Sequence, residues 1–273
     1  MWQLTENNSV KQIEGLDRGL QFGDGFFETI RIENTQPKHF SYHLTRIEHS
    51  LTTLGFSISK NYIAELINIG LPKLLSESGL KQAVLKVLVT RGQSERGYGY
   101  GSNISSNVLL LLSEAKPVNE DIYSKGVEVG FCQTECSVNA QLAGLKHLNR
   151  LENVLARQEV SQGDVFEGLM SNHLGWIIEG TMSNAFFKID GVWLTPKLNL
   201  SGVAGVARAW ALDWFAKSGR PIIEADISQE AALTATNAFI CNSQMGFIPV
   251  KRIEHSELVR PEFMDELQRS WKK

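Results

Sequence analysis

Lys146 lies in Gly144-Leu145-Lys146-His147-Leu148-Asn149-Arg150-Leu151-Glu152, hemmed by apolar Leu145 and Leu148 just ahead of an amphipathic run. A lysine so placed is a candidate for partial burial. Burial disfavours the ammonium form, lowers its pKa and leaves a nucleophilic amine near neutral pH. Such an amine can form a Schiff base with a carbonyl cofactor. The competing reading is that the stem lies along apolar surface while the ammonium stays in water, as most lysines do. Position alone leaves both readings open.

Glu179 stands in Trp176-Ile177-Ile178-Glu179-Gly180-Thr181-Met182-Ser183-Asn184, at the end of an apolar strand and ahead of glycine and small hydroxyl residues. If buried, this carboxylate needs a cation or hydrogen-bond donors. A pyridinium nitrogen is one such partner, and keeping it protonated makes the ring a better electron sink. An exposed strand-end glutamate is the alternative. The stretch Ser201-Gly202-Val203-Ala204-Gly205-Val206-Ala207-Arg208 puts glycines before a helix, where free N–H groups and the helix dipole favour an anion. It matches neither the dinucleotide fingerprint nor the P-loop, and a purely structural glycine turn fits it as well. Arg46, three residues after His43, could give a phosphate a fixed cation or belong to a solvated helix face. Arg91 and Arg96 flank a long loop, and arginine forks bind carboxylates, so an acidic substrate is one reading and ordinary surface arginines the other.

The elements that must position these residues follow from periodicity. Residues 25–32 read as a strand, and Pro37-Lys38-His39-Phe40 as a second joined by a turn at 33–36. Ser41 is expected to cap a helix with Leu44, Ile47, Leu51 and Leu54 on one stripe. Asn61 is expected to cap another, interrupted at Gly70 and Pro72. Residues 83–91 and 108–112 read as strands, and residues 92–106 between them form a loop long enough to suspect function. Polar residues 115–121 read as a linker between a smaller N-terminal domain, 1–114, and a larger C-terminal one, 122–273. In the second domain a strand at 127–131 precedes the Lys146 segment and a helix to about Val160. Asp190-Gly191 marks a hairpin over 186–194, a helix spans 206–217, strands fall near Phe239 and Ile248, and a helix begins at Pro261. Trp210 and Trp214 on the 206–217 helix suit a core or an interface equally well. This is α/β (α+β) architecture with mixed sheets in two domains.

Length and composition set outer bounds. With 273 residues, 42% hydrophobic and 21% charged, the chain is an ordinary globular protein of formal net charge −3. No basic block suggests nucleic acid, no apolar run is long enough to cross a bilayer, and the first residues do not read as a secretory signal. Cys132, Cys136 and Cys241 are sparse and odd in number, which fits a reducing cytoplasm. No partner at finger-like spacing makes Cys132 and Cys136 a metal site, and no metal is expected.

The stretches Gly23-Asp24-Gly25-Phe26-Phe27-Glu28-Thr29, His43-Leu44-Thr45-Arg46, Leu145 to Leu151, Glu179 to Asn184 and Gly202 to Arg208 together resemble the fold-type IV pyridoxal-phosphate enzymes. That family comprises the branched-chain and D-amino-acid aminotransferases and the aminodeoxychorismate lyases. The resemblance implies a two-domain D-amino-acid-aminotransferase-like fold with a barrel-like second domain, a pyridoxal 5'-phosphate cofactor and a homodimer. It implies that Lys146 holds the cofactor aldehyde and acts as base and acid, and that Glu179 meets the pyridine nitrogen. It also implies that Arg46, the backbone of Val206 and Ala207, and Ser243 hold the phosphate. At Ala207 the aminotransferases usually carry threonine. Within the family, residues 143–152, Thr90-Arg91-Gly92, Arg96-Gly97-Tyr98 and Thr29 are similar to the lyase branch. There Thr29 faces the reacting carbon and Arg91 and Arg96 would grip a carboxylate of 4-amino-4-deoxychorismate. Glu28 departs from that branch, where a second threonine is frequent, and matches the aminotransferases. An aminotransferase is therefore the alternative, and a non-catalytic cofactor-binding protein a remote one.

Overall fold

In a strand, successive side chains face opposite ways. The strand β2 (Gly25–Glu33) accordingly buries Phe26, Glu28, Ile30 and Ile32 on one face and sets Phe27, Thr29 and Arg31 on the other. Three of the inward residues are apolar, and the fourth is a carboxylate. The computed structural model describes residues 2–5 and 15–272. The chain divides into two compact units, one running to Pro117 and including Leu145–Asn149, the other comprising Val118–Gly144 and the chain from Arg150 onward.

In the first unit the elements are β1 (Trp2–Thr5), α1 (Arg18–Phe22), β2, β3 (Gln36–Pro37), α2 (Phe40–Thr53), α3 (Lys60–Ser78), β4 (Gln82–Thr90) and β5 (Asn107–Glu114). The strands form an antiparallel sheet in the order β1-β5-β4-β2-β3. Ile47 and Leu51 of α2 and Ile63, Ile67, Leu71 and Leu74 of α3 close over its inward residues. Helix α2 begins at Phe40, with His39 before it in the left-handed region, so Ser41 lies inside the helix and does not cap it. Ser59, not Asn61, caps α3 by accepting from the Tyr62 N–H. That helix runs unbroken through Gly70 and Pro72. Proline removes one backbone donor, and the buried Leu71, Leu74 and Leu75 around it offset the loss. The strand expected over 37–40 shrinks to Gln36–Pro37, because Asn34 and Thr35 make a tight hairpin, both at positive φ.

The second unit holds α4 (Asp121–Lys125), β6 (Val127–Phe131), α5 (Leu151–Gln162), β7 (Glu167–Ser171), β8 (Ile177–Gly180), β9 (Asn184–Ile189) and β10 (Val192–Pro196). It continues with α6 (Val206–Lys217), β11 (Ile222–Ala225), α7 (Gln229–Leu233), β12 (Asn237–Asn242), β13 (Gly246–Ile253), β14 (Ser256–Glu257) and α8 (Met264–Lys272). Its strands lie in the order β11-β10-β9-β12-β13-β6-β7-β8, with β14 on β13. Strand β8, at one edge, also approaches β9 and β10, so the mixed sheet curls into a half-barrel. Val129, Leu169, Phe187, Ile240, Ile248 and Val250 pack within it. Trp210 and Trp214 join an aromatic cluster with Phe215, Phe247, Phe263 and Trp271, in which Trp214 is buried and Trp210 half-buried.

Candidate functional site

In the first unit, residues 145–149 lie beside β2 as an extra backbone strand. The Phe27 N–H donates to the Lys146 carbonyl at 3.0 Å and the Leu148 N–H to the Gly25 carbonyl at 3.0 Å. Gly25 permits this, since a Cβ there would stand 2.2 Å from the Val89 carbonyl and 2.9 Å from Leu148 Cδ1. The half-buried Lys146 thus takes its position from β2, not from the helix after it, which starts only at Leu151. Its Nζ stands 4.5 Å from the centre of the Phe27 ring, and Lys86 Nζ, on the neighbouring strand, stands 4.7 Å from it. Thr29, paired with Lys86, shares that face of β2.

On the opposite face Glu28 is 1% exposed and receives a fork from Arg46, Nε to Oε1 at 2.7 Å and Nη2 to Oε2 at 2.6 Å. His43 Nδ1 lies 2.6 Å from the same Oε2. Helical spacing of three puts His43 and Arg46 on the buried face of α2, so Arg46 is not on a solvated face. Burial would raise the Glu28 carboxyl, but the Arg46 charge and the hydrogen bonds from Arg46 and His43 outweigh it and hold the pKa at about 2. Burial pushes His43 down, and the Arg46 and Lys146 charges add to that against the pull of Glu28. The group is therefore an ionised carboxylate on an arginine, with a neutral imidazole beside it.

Arg91 does not have the expected setting. It is buried, its Nε on Asp24 at 2.9 Å, its Nη2 on the Leu54 carbonyl at 2.7 Å and its Nη1 on the Gly55 carbonyl at 3.1 Å. Its guanidinium holds the end of β4 against the end of α2. Arg96 is exposed in the loop beyond.

In the second unit Glu179 is buried at the end of β8, and its Oε2 accepts from the Val203 N–H at 2.8 Å. The glycine stretch is pinned around it. Gly144 donates to the Gly202 carbonyl, Ala204 donates to the Gly144 carbonyl, and Asn184 Nδ2 holds the Val203 carbonyl at 2.9 Å. Gly202 has φ +83°, and a Cβ on it would fall 2.5 Å from Ile178 Cγ2 and 3.4 Å from Glu179 Oε2. The absent side chain lets the Gly202 backbone pack against Ile178 and Leu198 beside the carboxylate. Gly205 precedes α6 and has no side chain to cap it, so the first-turn N–H groups at Val206 and Ala207 form a bare positive helix end. Asn184 pairs with Cys241 across β9 and β12, which brings the half-buried Ser243, two residues on, to the same end of the sheet. Arg208, the last residue of the glycine stretch, is taken by Glu224 and the Pro196 carbonyl.

Several residues at these sites escape a reading of the sequence. Glu167 is fully buried and accepts from Thr181 Oγ1 at 2.5 Å, Ser183 Oγ at 2.8 Å and the N–H groups of Gly168 and Thr181. It thereby fixes the turn that follows Glu179. A charge inside the apolar Phe166-Glu167-Gly168-Leu169-Met170 is a usable signal, because a carboxylate there must be partnered. Lys86, in an apolar strand, carries the same signal. Nothing in the spacing of Glu28, His43 and Arg46 announces that they meet.

Each unit by itself offers groups that suit pyridoxal phosphate: the first an amine and an arginine, the second a buried carboxylate, helix-end amides and a hydroxyl. Comparison with known proteins points the same way. A family model described as amino-transferase class IV matches residues 25–253. The chain is 33% identical over 242 residues to an aminodeoxychorismate lyase of Vibrio harveyi, covering 88% of this chain and 87% of that one. It superposes on the crystal structure of 4-amino-4-deoxychorismate lyase from Pseudomonas aeruginosa with TM-score 0.91 and 33% identity, covering 99% and 98% of the two chains. The Escherichia coli branched-chain amino acid aminotransferase shares the fold, at TM-score 0.84 and 18% identity over 99% and 93%.

Proposed function

Since the chain belongs to the class IV aminotransferase family, we propose that it is a pyridoxal-phosphate-dependent 4-amino-4-deoxychorismate lyase, releasing pyruvate to leave 4-aminobenzoate. The observation that carries this reading is the match to lyases at one third identity over nearly the whole chain, where the branched-chain aminotransferase shares the fold alone.

The cofactor, when bound, supplies an aldehyde that takes up the substrate amine and a ring that accepts the electron pair of the broken C–H bond. Lys146 Nζ would hold the aldehyde and, once free, act on the substrate. It then takes the proton from the substrate carbon bearing nitrogen and returns one to the departing enolpyruvyl carbon, acting as base and then as acid. Glu179 would face the ring nitrogen and favour its protonated form. The N–H groups of Val206 and Ala207, the Ser243 hydroxyl and the Arg46 cation would hold the phosphate, with backbone donors carrying the share that a threonine at position 207 would take. Thr29 orients the reacting carbon from the face it shares with Lys146 and Lys86. Arg96 binds a substrate carboxylate from the exposed loop, while the Arg91 guanidinium holds Asp24, Leu54 and Gly55.

The enzyme works as a homodimer in the cytoplasm. The free, buried thiols of Cys132, Cys136 and Cys241 support the reducing compartment. Loaded protein incubated with 4-amino-4-deoxychorismate and no 2-oxo acid should release pyruvate. Turnover that appears only with 2-oxoglutarate and yields glutamate would instead make it an aminotransferase.

A further inference from the structure

Arg18 is 4% exposed at the start of α1, yet four of its hydrogen bonds reach across some eighty positions of sequence to one loop. Nη1 donates to Ser94 Oγ at 2.9 Å and to the carbonyls of Gly97 and Gly99 at 3.1 and 3.4 Å, and Nη2 donates to the Tyr98 carbonyl at 2.7 Å. Neither helix nor strand turns three successive carbonyls onto one cation. Gly97, at φ +109°, makes that path possible. The base of the guanidinium is fixed as well, since Nε holds Asp24 Oδ2 at 2.8 Å and Arg91 grips the same carboxylate. Phe22 and Tyr100 stack on the Arg18 plane at 5.0 and 5.1 Å, and Tyr100 covers Arg91 at 4.3 Å. Both guanidinium planes are therefore held by rings, and the loop closes over them although its outer side chains are exposed. Arg96 lies inside the tethered arc, between Ser94 and Gly97, with its side chain in solvent.

We propose that Arg18 is a positioning residue for substrate recognition: it holds the 94–99 arc in one shape so that Arg96 presents its fork to a substrate carboxylate. The inference rests on Arg96 being that carboxylate ligand. A loop with several glycines has many conformations, and fixing it before the substrate arrives removes that ordering cost from binding. Lysine in place of Arg18 could keep the Asp24 ion pair but lacks the planar fork that reaches a hydroxyl and three carbonyls at once.

The test uses protein loaded with pyridoxal phosphate and compares Arg18→Lys, Arg96→Ala and the double variant. Arg96→Ala should raise KM for 4-amino-4-deoxychorismate about tenfold or more with kcat nearly kept, because it removes a binding contact. Arg18→Lys should do much the same, and the double variant should be no worse than Arg96→Ala alone, because Arg18 acts through Arg96. Limited trypsin cleavage after Arg96 should also be faster in Arg18→Lys by about tenfold or more, since cleavage tracks local opening. If Arg96→Ala raises KM but Arg18→Lys leaves KM or the cleavage rate unchanged, the tether is wrong and the role of Arg96 stands. If the two substitutions multiply, Arg18 acts by another route and the proposal falls. If Arg96→Ala leaves KM unchanged, the substrate role of Arg96 falls and takes the purpose of the tether with it, while cleavage still reports whether the arc is held. Should Arg18→Lys fail to fold, Ser94→Ala with Tyr100→Leu loosens the same arc from outside and must give the same pattern.

Discussion

Glu28, expected from the resemblance to set the chain apart from the lyase branch, has the chemistry of a clamp. Both of its oxygens are engaged, one shared between Arg46 and His43, so the carboxylate fixes the arginine proposed for the phosphate. Its folded pKa of about 2 lies below the unfolded 4.5, so the pairing adds stability that is complete above 4.5 and lost as pH falls toward 2. The difference corresponds to about 3 kcal/mol. His43 has the same sign: kept neutral in the fold, it loses stability as pH falls below its unfolded value of 6.5, where the unfolded chain takes up the proton first. Urea unfolding at a series of pH values should show this acid limb. Glu28→Gln should flatten the part between 4.5 and 2 and cost about 3–5 kcal/mol at neutral pH, because Arg46 is left buried without its counter-charge. A variant with the same acid slope as the unaltered protein would refute the clamp. Lys146→Ala should abolish both turnover and the covalent tag that borohydride leaves on the protein once loaded with cofactor. Mass mapping of the tag to any other residue would remove Lys146 from the mechanism.

Among the elements, α6 is legible from sequence to the residue, since glycines before it and apolar spacing within it agree. The Asp190-Gly191 hairpin is equally plain, both residues taking positive φ. Helix α3 is not, because Gly70 and Pro72 signal a break that buried Leu71, Leu74 and Leu75 override, and packing of that kind is invisible in local sequence. The candidate site shows the same division. Candidate residues within one contiguous stretch, such as Glu179 and the 201–207 run, stand out in the sequence by their neighbours. The Glu28–His43–Arg46 group and the Arg18 network join segments distant in sequence, and only the fold brings them together. The Glu179 turn illustrates how much such joining matters. Gly202 and Gly180 both lack side chains where a Cβ would strike a neighbour, Ile178 at 2.5 Å in one case and Ser183 Oγ at 2.3 Å in the other. Gly202→Ala meets positive φ as well as that overlap, and should cost about 2–4 kcal/mol in urea unfolding. It should also weaken cofactor binding by pushing Glu179 from its place. Unchanged stability and affinity would mean that the close packing of Gly202 is not needed.

For the whole molecule, the chain builds its first unit to Pro117, enters the second, returns through Leu145–Asn149 to lay Lys146 beside β2, and leaves again. A boundary drawn by composition at 115–121 assigns that short segment to the second unit, because nothing in five residues reveals which sheet will take their hydrogen bonds. From Arg150 the chain enters α5, where Leu151, Val154 and Leu155 are 73%, 61% and 54% exposed. Their spacing of three and four gathers them on one stripe of the helix. Isolated apolar residues on a surface need no explanation, but three together on one helical stripe are the pattern of a covered face. A second copy of the chain meets the requirement, since a two-fold contact matches such a stripe with itself. Light scattering should therefore give a mass twice the 30.5 kDa of the chain. Val154→Asp with Leu155→Asp sets charges on the stripe without touching the buried Ala156 and Val160 of the same helix. It should leave the circular dichroism of the protein intact while lowering the mass to one chain. A monomer before substitution would remove the dimer, and a dimer surviving both substitutions would move its interface away from α5.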